Sequence, residues 1–258
     1  MGYRIGLTPV ILTDQTSFLK DWQAYLTTHL GEPVKFVQRQ TYKEITELLL
    51  AGQLDAAWLC GYPYVTHRSE LKLLSVPIFR GSPKYHSYLI VPAADTKSRG
   101  LLDLKRKVFV YSDPDSNSGY LYPQVGLINA GIDPRYFFTK TFFAWSHRGV
   151  VTAVADGLAQ GGAVDSYVWE TLAEKEPELS SRTRVVSKSP EYGFPPLVIP
   201  RNLERRRAGK LQQALLEMSS DPVGTELLHR LNLGGFIVGS DELYDGIAES
   251  IRIMESGK

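Results

Sequence analysis

The chain has 258 residues, with 29 Lys and Arg against 28 Asp and Glu, 43% hydrophobic residues and 22% charged residues. This composition is typical of a globular protein and excludes a disordered, collagen-like or coiled-coil chain. The formal net charge of +1 argues against nucleic acid as a partner, and no apolar run approaches the ~20 residues of a membrane span. The length predicts one large domain or two smaller ones, and usual domain sizes favour two.

Short β-branched and aromatic runs alternate with helical patterns in the first part of the chain. Apolar side chains on one helical face predict a helix over residues 17–29, and Thr41 followed by Glu44 forms a capping box for a second helix that ends at Gly52. This alternation predicts a mostly parallel α/β sheet. The strands predicted in this part are residues 4–7, 34–37, 56–59 and 88–91.

A second α/β region follows the polar stretch at residues 92–100. Its predicted strands are residues 107–111, 141–143 and 162–165. An extended stretch over 185–199 precedes helical patterns that continue to the C-terminus without strands, and Arg205 to Arg207 are interpreted as the solvated start of a helix. We therefore expect lobe 1 to comprise residues 1–91 and 188–258 and lobe 2 to comprise residues 92–187, with two hinge crossings.

The polar turn after the strand at 107–111 is the most informative segment. Ser116, Asn117 and Ser118 supply hydroxyl and amide donors where a following helix begins, and Gly119 would let a ligand approach the backbone. Helix N-termini attract anions, so the turn predicts an anion site. Ser and Asn are also ordinary helix caps, so a helix cap that binds no ligand is the alternative interpretation of this turn.

Several segments, in the same order along nearly the whole chain, resemble the periplasmic solute-binding proteins for phosphate, phosphite and phosphonate. The segments that carry the resemblance are residues 113–121, Tyr42 within 41–44, residues 52–58, Tyr85 within 85–91, His147 within 145–147 and Asp165 within 163–166. The resemblance implies the two-lobed α/β fold of type II periplasmic binding proteins, with two hinge crossings that close on a ligand. It also implies a binding protein without catalytic activity.

The resemblance further implies roles for individual residues. Ser116, Asn117 and Ser118 would hold an oxyanion from one lobe, with Tyr85 and His147 donating and Tyr42 contributing from the other lobe, and Asp165 belongs to a matching stretch. From its position alone, His147 is equally consistent with a capping role. Val168 and Pro195 stand where the phosphonate-type protein is acidic, which favours a small oxyanion or oxyacid over an aminophosphonate.

Cys60, the one cysteine, follows the strand predicted at 56–59. A buried structural thiol is its ordinary interpretation. A thiolate also suits a thiophilic centre such as trivalent arsenic. Similar arsenite-sensing members of the wider family signal to a membrane histidine kinase, so an arsenite sensor that uses Cys60 is the alternative function.

Nucleophile-elbow, phosphate-loop and dinucleotide motifs are missing from the sequence, and its five histidines are scattered. We therefore expect no enzyme activity, no cofactor and no metal site other than Cys60 as an arsenic ligand. The resulting expectation is a monomeric periplasmic protein, its signal peptide absent from this sequence, that presents a small oxyanion to a membrane ABC permease.

Overall fold

The computed structural model describes residues 2–9 and 16–257 of the chain. The strands in this part are β1 (Tyr3–Leu7), β2 (Val34–Gln38), β3 (Ala56–Trp58), β4 (Leu71–Ile78), β5 (Lys84–Tyr85), β6 (Ser87–Pro92), β7 (Val108–Tyr111), β8 (Lys140–Phe143), β9 (Gly161–Asp165), β10 (Thr183–Lys188), β11 (Tyr192–Gly193), β12 (Leu197–Pro200) and β13 (Gly235–Ile237). The helices are α1 (Thr16–Leu30), α2 (Tyr42–Leu50), α3 (Gly61–Thr66), α4 (Tyr122–Asn129), α5 (Pro134–Phe137), α6 (His147–Ala155), α7 (Ser166–Lys175), α8 (Pro177–Ser180), α9 (Arg205–Leu216), α10 (Pro222–Leu231) and α11 (Asp245–Ser256). Within these residues, no helix is both long enough and apolar enough to span a membrane.

The described residues divide into two compact units. Unit 1 contains the described residues of Met1–Lys84 together with Gly193–Tyr244. Unit 2 contains Tyr85–Tyr192 together with the described residues of Asp245–Lys258. In the described part, the chain therefore passes between units after Lys84, after Tyr192 and after Tyr244.

Unit 1 is built on a sheet with the strand order β13-β4-β12-β3-β1-β2. β1 pairs in parallel with β2 and β3, whereas β12 runs antiparallel to β3 and β4. Helix α1 packs Trp22 against the rings of Phe36 and Trp58, with ring centroids 4.9 and 6.1 Å away. The predicted helix at 17–29 is thus confirmed, and its apolar face forms part of the core.

Unit 2 has its own sheet, with the order β10-β6-β9-β7-β8. β7 pairs in parallel with β8 and β9, and β6 runs antiparallel to β9 and β10. Phe109 on β7 stacks on Phe138 with ring centroids 4.5 Å apart, inside a buried apolar cluster. Both sheets are therefore mixed, which corrects the prediction of mostly parallel sheets.

The unit boundaries differ from the predicted lobe boundaries at 91/92 and 187/188. β6 and β10 are antiparallel neighbours in one sheet, with Ile90 opposite Val185, so these positions lie inside unit 2. The polar stretch at 92–100 forms a turn after β6. A polar composition is common to turns within a domain and linkers between domains, so the sequence does not distinguish the two. The end of the chain, predicted in lobe 1, belongs to unit 2, where the backbone at Gly257 lies against Ile128 of α4. The expected hinge motion stays a prediction.

Two strands of unit 1 lie outside the predicted set. β4 contains Pro77, which lacks the amide hydrogen of a regular strand, and β13 has only the three residues Gly235–Ile237. The two strands pair with each other, with Pro77 opposite Phe236. The expectation of helices without strands after residue 199 is therefore wrong, because a strand this short carries no recognisable alternation.

The predicted basic cluster at Arg205 to Arg207 begins α9, but Arg207 is not a solvated charge. Its side chain is 20% exposed and forms ion pairs with Glu32 (2.9 Å) and Asp55 (3.1 Å). Its guanidinium group lies 4.0 Å from the ring centroid of Tyr3. Arg207 thus joins α9 to β1 and to the loops that precede β2 and β3.

The capping box predicted at the start of α2 is confirmed. The Thr41 hydroxyl accepts a hydrogen bond from the Glu44 amide (3.2 Å), and the Glu44 carboxylate accepts one from the Thr41 amide (3.1 Å). Each bond satisfies a backbone donor that has no partner within the helix. The cap fixes the start of α2, whose first residue is Tyr42.

We expect Thr41→Ala to lower the free energy of unfolding by about 1 kcal/mol, because the cap hydroxyl is lost. Urea denaturation measures the change. Thr28→Ala is the matched control, because Thr28 is exposed near the end of α1 and its hydroxyl only donates to the Ala24 carbonyl of the same helix. Equal losses for the two variants would contradict a specific capping effect.

Candidate anion-binding site

The polar turn singled out in the sequence follows β7 in unit 2. Residues Asn117–Leu121 form a π-type turn that continues into α4, with the Leu121 amide donating to the Ser116 carbonyl (2.9 Å). The Ser116 hydroxyl accepts from the Gly119 amide (3.0 Å), so Ser116 is the residue that caps this helix start. Wide turns of this type are common at functional sites because they re-aim side chains at a helix start.

Gly119 is required by close packing within the turn. A Cβ atom at this position would lie 1.9 Å from the hydroxyl oxygen of Ser112. The Ser112 amide also donates to the Gly119 carbonyl (3.3 Å). The space that the sequence assigned to an approaching ligand is therefore occupied by the Ser112 side chain.

Two side chains hold the turn, one from the end of β5 and one from the start of β6. The Asn117 side-chain amide donates to the Tyr85 hydroxyl (2.9 Å), and the Ser87 hydroxyl donates to the Ser118 carbonyl (2.7 Å). All four residues are at most 2% exposed. Tyr85, Asn117 and Ser118 are thus brought together, and Ser87 joins them although the sequence analysis did not select it.

Ser118 has the most unusual hydroxyl of the turn. Its Oγ atom is buried and has no hydrogen-bond partner among the described residues. Leaving a buried hydroxyl without a partner costs about 1–3 kcal/mol. This hydroxyl is therefore available as a donor to a bound acceptor.

His147 is the first residue of α6, after the N-cap Ser146, and is 1% exposed. Its Nδ1 atom accepts a hydrogen bond from the Asp165 amide (3.1 Å). Burial lowers the pKa of His147 to about 3, so its ring is neutral near pH 7. Because Nδ1 accepts, the proton is on Nε2, and His147 is a neutral donor through Nε2.

Asp165 ends β9 and caps α7, where its carboxyl group accepts from the Tyr167 amide (2.8 Å). Burial raises the pKa of Asp165 to about 8. The carboxyl group is therefore mainly protonated at neutral pH and adds little negative charge near His147. A buried, protonated carboxyl group can itself donate a hydrogen bond.

The remaining selected residues, Tyr42 and Cys60, lie in unit 1. Both are buried, and they pack against each other and against Tyr62. Cys60 precedes α3, and its thiol makes no capping hydrogen bond. In the part of the chain that the structure describes, no group of three or more His, Cys, Asp or Glu side chains is arranged to hold a metal ion.

A sequence model of the family described as "ABC transporter, phosphonate, periplasmic substrate-binding protein" matches residues 5–244. The chain belongs to this family. It is therefore a substrate-binding protein of the ABC-transporter type and not an enzyme.

The chain is similar in sequence to two named proteins, to different extents. The chain is 30% identical to the phosphate-import protein PhnD of Mycolicibacterium smegmatis over 176 residues, which cover 64% of this chain and 55% of that protein. It is 25% identical to the probable ABC transporter phosphite binding protein PhnD1 of Prochlorococcus marinus over 236 residues, which cover 87% of this chain and 80% of that protein. The first match thus spans little more than half of the relative's length.

Solved structures establish the fold. PhnD1 of Prochlorococcus marinus in complex with methylphosphonate has a TM-score of 0.86 at 22% identity, over 98% of both chains. A binding protein component of an ABC phosphonate transporter from Pseudomonas aeruginosa has a TM-score of 0.87 at 23% identity, over 99% of this chain and 88% of that one. The chain therefore has the two-lobed fold of type II periplasmic binding proteins, as expected.

The raised pKa of Asp165 predicts a pH-dependent stability. The neutral carboxyl group is favoured in the folded state, so its contribution is fully present below the unfolded-state pKa of about 3.8 and is lost as the pH rises through about 8. Asn cannot ionise and can still accept from the Tyr167 amide. We therefore expect Asp165→Asn to raise the melting temperature more at pH 9 than at pH 5.

Asp156→Asn is the control for this measurement, because Asp156 is a surface residue of the same unit, 44% exposed and paired with Arg182. Calorimetry of wild type and both variants at the two pH values gives the comparison. A shift for Asp165→Asn that is the same at pH 5 and pH 9 would show that Asp165 is ionised in the folded protein throughout.

Proposed function

We propose that the chain captures a small phosphorus oxyanion of the phosphate, phosphite and phosphonate class. Ser116, Asn117 and Ser118 form the cradle, and Tyr85, His147 and Asp165 complete the site in unit 2. The observation that carries the proposal is the buried Ser118 hydroxyl, which has no partner among the described residues. An oxyanion supplies the acceptor that this hydroxyl needs.

The arrangement favours an anion held by neutral donors. His147 donates as a neutral ring, the Ser118 hydroxyl is available, and Asp165 is mainly protonated at neutral pH. The cradle also lies where the π-type turn leads into α4, at the positive end of the helix dipole. Hydrogen bonds from neutral donors to a charged acceptor are stronger than bonds between neutral groups, so an anion is bound without a paired cation.

The sheet connects the two parts of this site. Ser87 lies opposite Asp165 in the pairing of β6 with β9, and the hydroxyl of Ser87 contacts Ser118 while the amide of Asp165 contacts His147. Neighbouring strands thus carry the turn and the histidine. This common support favours one ligand that contacts both.

The class of ligand is supported by the relatives. Their names refer to phosphate import, phosphite binding and a methylphosphonate complex. All three ligands present a tetrahedral phosphorus atom with two or more oxygens. The proposed partner of the loaded protein is a membrane ABC permease, and the proposed location is the periplasm, in line with the family description.

Tyr42 is proposed as a further donor on the resemblance alone. The arsenite alternative rests on Cys60, and neither the family description nor the relatives named above mention arsenite or a sensor kinase. Cys60 is buried against Tyr42 and Tyr62, as in an ordinary structural thiol. We therefore favour the phosphorus oxyanion.

The test is calorimetric titration of the wild-type protein with phosphate, phosphite, methylphosphonate, sulfate and arsenite. We expect at least one phosphorus oxyanion to bind and Ser118→Ala to weaken that binding by about 10-fold to 100-fold, because a charged acceptor loses a donor of about 1.5–3 kcal/mol. Ser181→Ala, at an exposed serine of unit 2, should bind like wild type. Binding of arsenite alone would contradict the proposal, and so would equal affinities of wild type and Ser118→Ala.

A further inference from the structure

Ser87 links the edge of the oxyanion turn to the centre of the unit 2 sheet. It is the first residue of β6 and is 1% exposed. Its hydroxyl lies 2.7 Å from the Ser118 carbonyl oxygen. A carbonyl oxygen only accepts hydrogen bonds, so the Ser87 hydroxyl proton points at Ser118.

The Ser118–Gly119 peptide group is held at both ends. Its carbonyl accepts from the Ser87 hydroxyl, and its N–H donates to the Ser116 hydroxyl (3.0 Å). Because a peptide group is planar, fixing both ends fixes the orientation of the whole group. The Ser118 side chain, which is attached directly before this group, is oriented by the same two bonds.

Ser87 is in turn fixed by the neighbouring segment. Its amide donates to the Ser189 hydroxyl (2.8 Å), and its carbonyl accepts from the Ser189 amide (2.9 Å). The Ser189 hydroxyl donates onward to the Pro190 carbonyl (2.6 Å). The Ser87 hydroxyl therefore acts from a backbone that is anchored independently of the turn.

We propose that Ser87 is a positioning residue of the oxyanion site, acting through the Ser118 carbonyl to present the Ser118 hydroxyl to the ligand. This inference rests on the proposed function. Ser87 does not contact the ligand in this proposal. Its loss leaves a buried carbonyl without its donor, and the Ser118–Gly119 peptide group can then rotate.

The surroundings of Ser87 allow a discriminating substitution. A cavity of about 170 Å³, lined mainly by apolar side chains of unit 2, lies beside Ser87 and also contacts Leu89 and Ala163. Threonine retains the hydroxyl donor and adds one methyl group, which this cavity can accept. Ser87→Thr therefore conserves the hydrogen bond that Ser87→Ala removes.

The experiment compares Ser87→Ala, Ser87→Thr and Ser98→Ala. Ser98 is a buried serine of unit 2 whose hydroxyl donates to Asp95 (2.6 Å), away from the turn. Calorimetry with phosphate, phosphite and methylphosphonate gives affinities, and hydrogen exchange of the ligand-free proteins gives the protection of amides 116–121. We expect Ser87→Ala to bind about 10-fold more weakly, from the loss of one buried hydrogen bond, and to lose protection in the turn.

Ser87→Thr should retain the wild-type affinity and the wild-type protection of amides 116–121. Ser98→Ala should lower the melting temperature and leave the affinity and this protection unchanged. A double-mutant cycle with Ser118→Ala should show that Ser87→Ala costs less affinity once the Ser118 hydroxyl is absent. Additive losses would overturn the proposal, because Ser87 would then act independently of Ser118.

The two proposals fail in distinguishable ways. If the wild-type protein binds none of the three anions, the proposed function fails, while the exchange data still decide whether Ser87 orders the turn. Unchanged protection of amides 116–121 in Ser87→Ala overturns the positioning role whatever the binding result. An equal loss of affinity in Ser98→Ala and Ser87→Ala overturns it as well, because the effect would then be common to buried serines of unit 2.

Discussion

The chemistry of the candidate site depends on how completely its polar side chains are withdrawn from water. Burial opposes charge, so it keeps the His147 ring neutral and the Asp165 carboxyl group mainly protonated. Each of these groups is then left with hydrogen-bonding capacity and no countercharge. The arrangement is suited to an anionic ligand because directed neutral donors form strong hydrogen bonds with a charged acceptor.

The same burial makes the backbone part of the site. The Asp165 amide determines which nitrogen of His147 carries the proton, and the Ser118–Gly119 peptide group is held between two serine hydroxyls. Two of these bonds, from the Ser87 hydroxyl and the Asp165 amide, come from strands β6 and β9, which pair in the middle of the unit 2 sheet. The rigid sheet thus supports the turn and the first residue of α6, and donor geometry is set before a ligand arrives.

Local signals in the sequence were sufficient for some of this arrangement. The capping box at Thr41 and Glu44 depends on residues three apart and occurs as predicted, and the polar turn at 116–118 stands at the start of a helical segment as expected. Ser87 and Ser112 contact the turn from other strands or loops, and nothing in their immediate sequence shows those contacts. The direction of the Ser118 carbonyl, and hence the role of Ser87, required the tertiary structure.

The lobe boundaries show the same limit at a larger scale. β6 and β10 pair with each other although about ninety residues separate them, and a change in composition at residue 92 does not reveal that pairing. Arg207 gives a second case, since two arginines precede it in the sequence but its own partners are Glu32 and Asp55. Consecutive arginines in the sequence can therefore have different environments in the fold, and the charge run does not show which of them is buried in ion pairs.

The contact between Gly119 and Ser112 has a consequence for sequence variation. Because the Ser112 hydroxyl occupies the place of a Cβ atom at position 119, the two positions share one small volume. A side chain at 119 is compatible with this turn only if position 112 gives up its own, so the pair must change together. Gly at 119 with a small hydroxyl residue at 112 is therefore a two-position criterion for recognising chains that form the same turn, independent of which anion they bind.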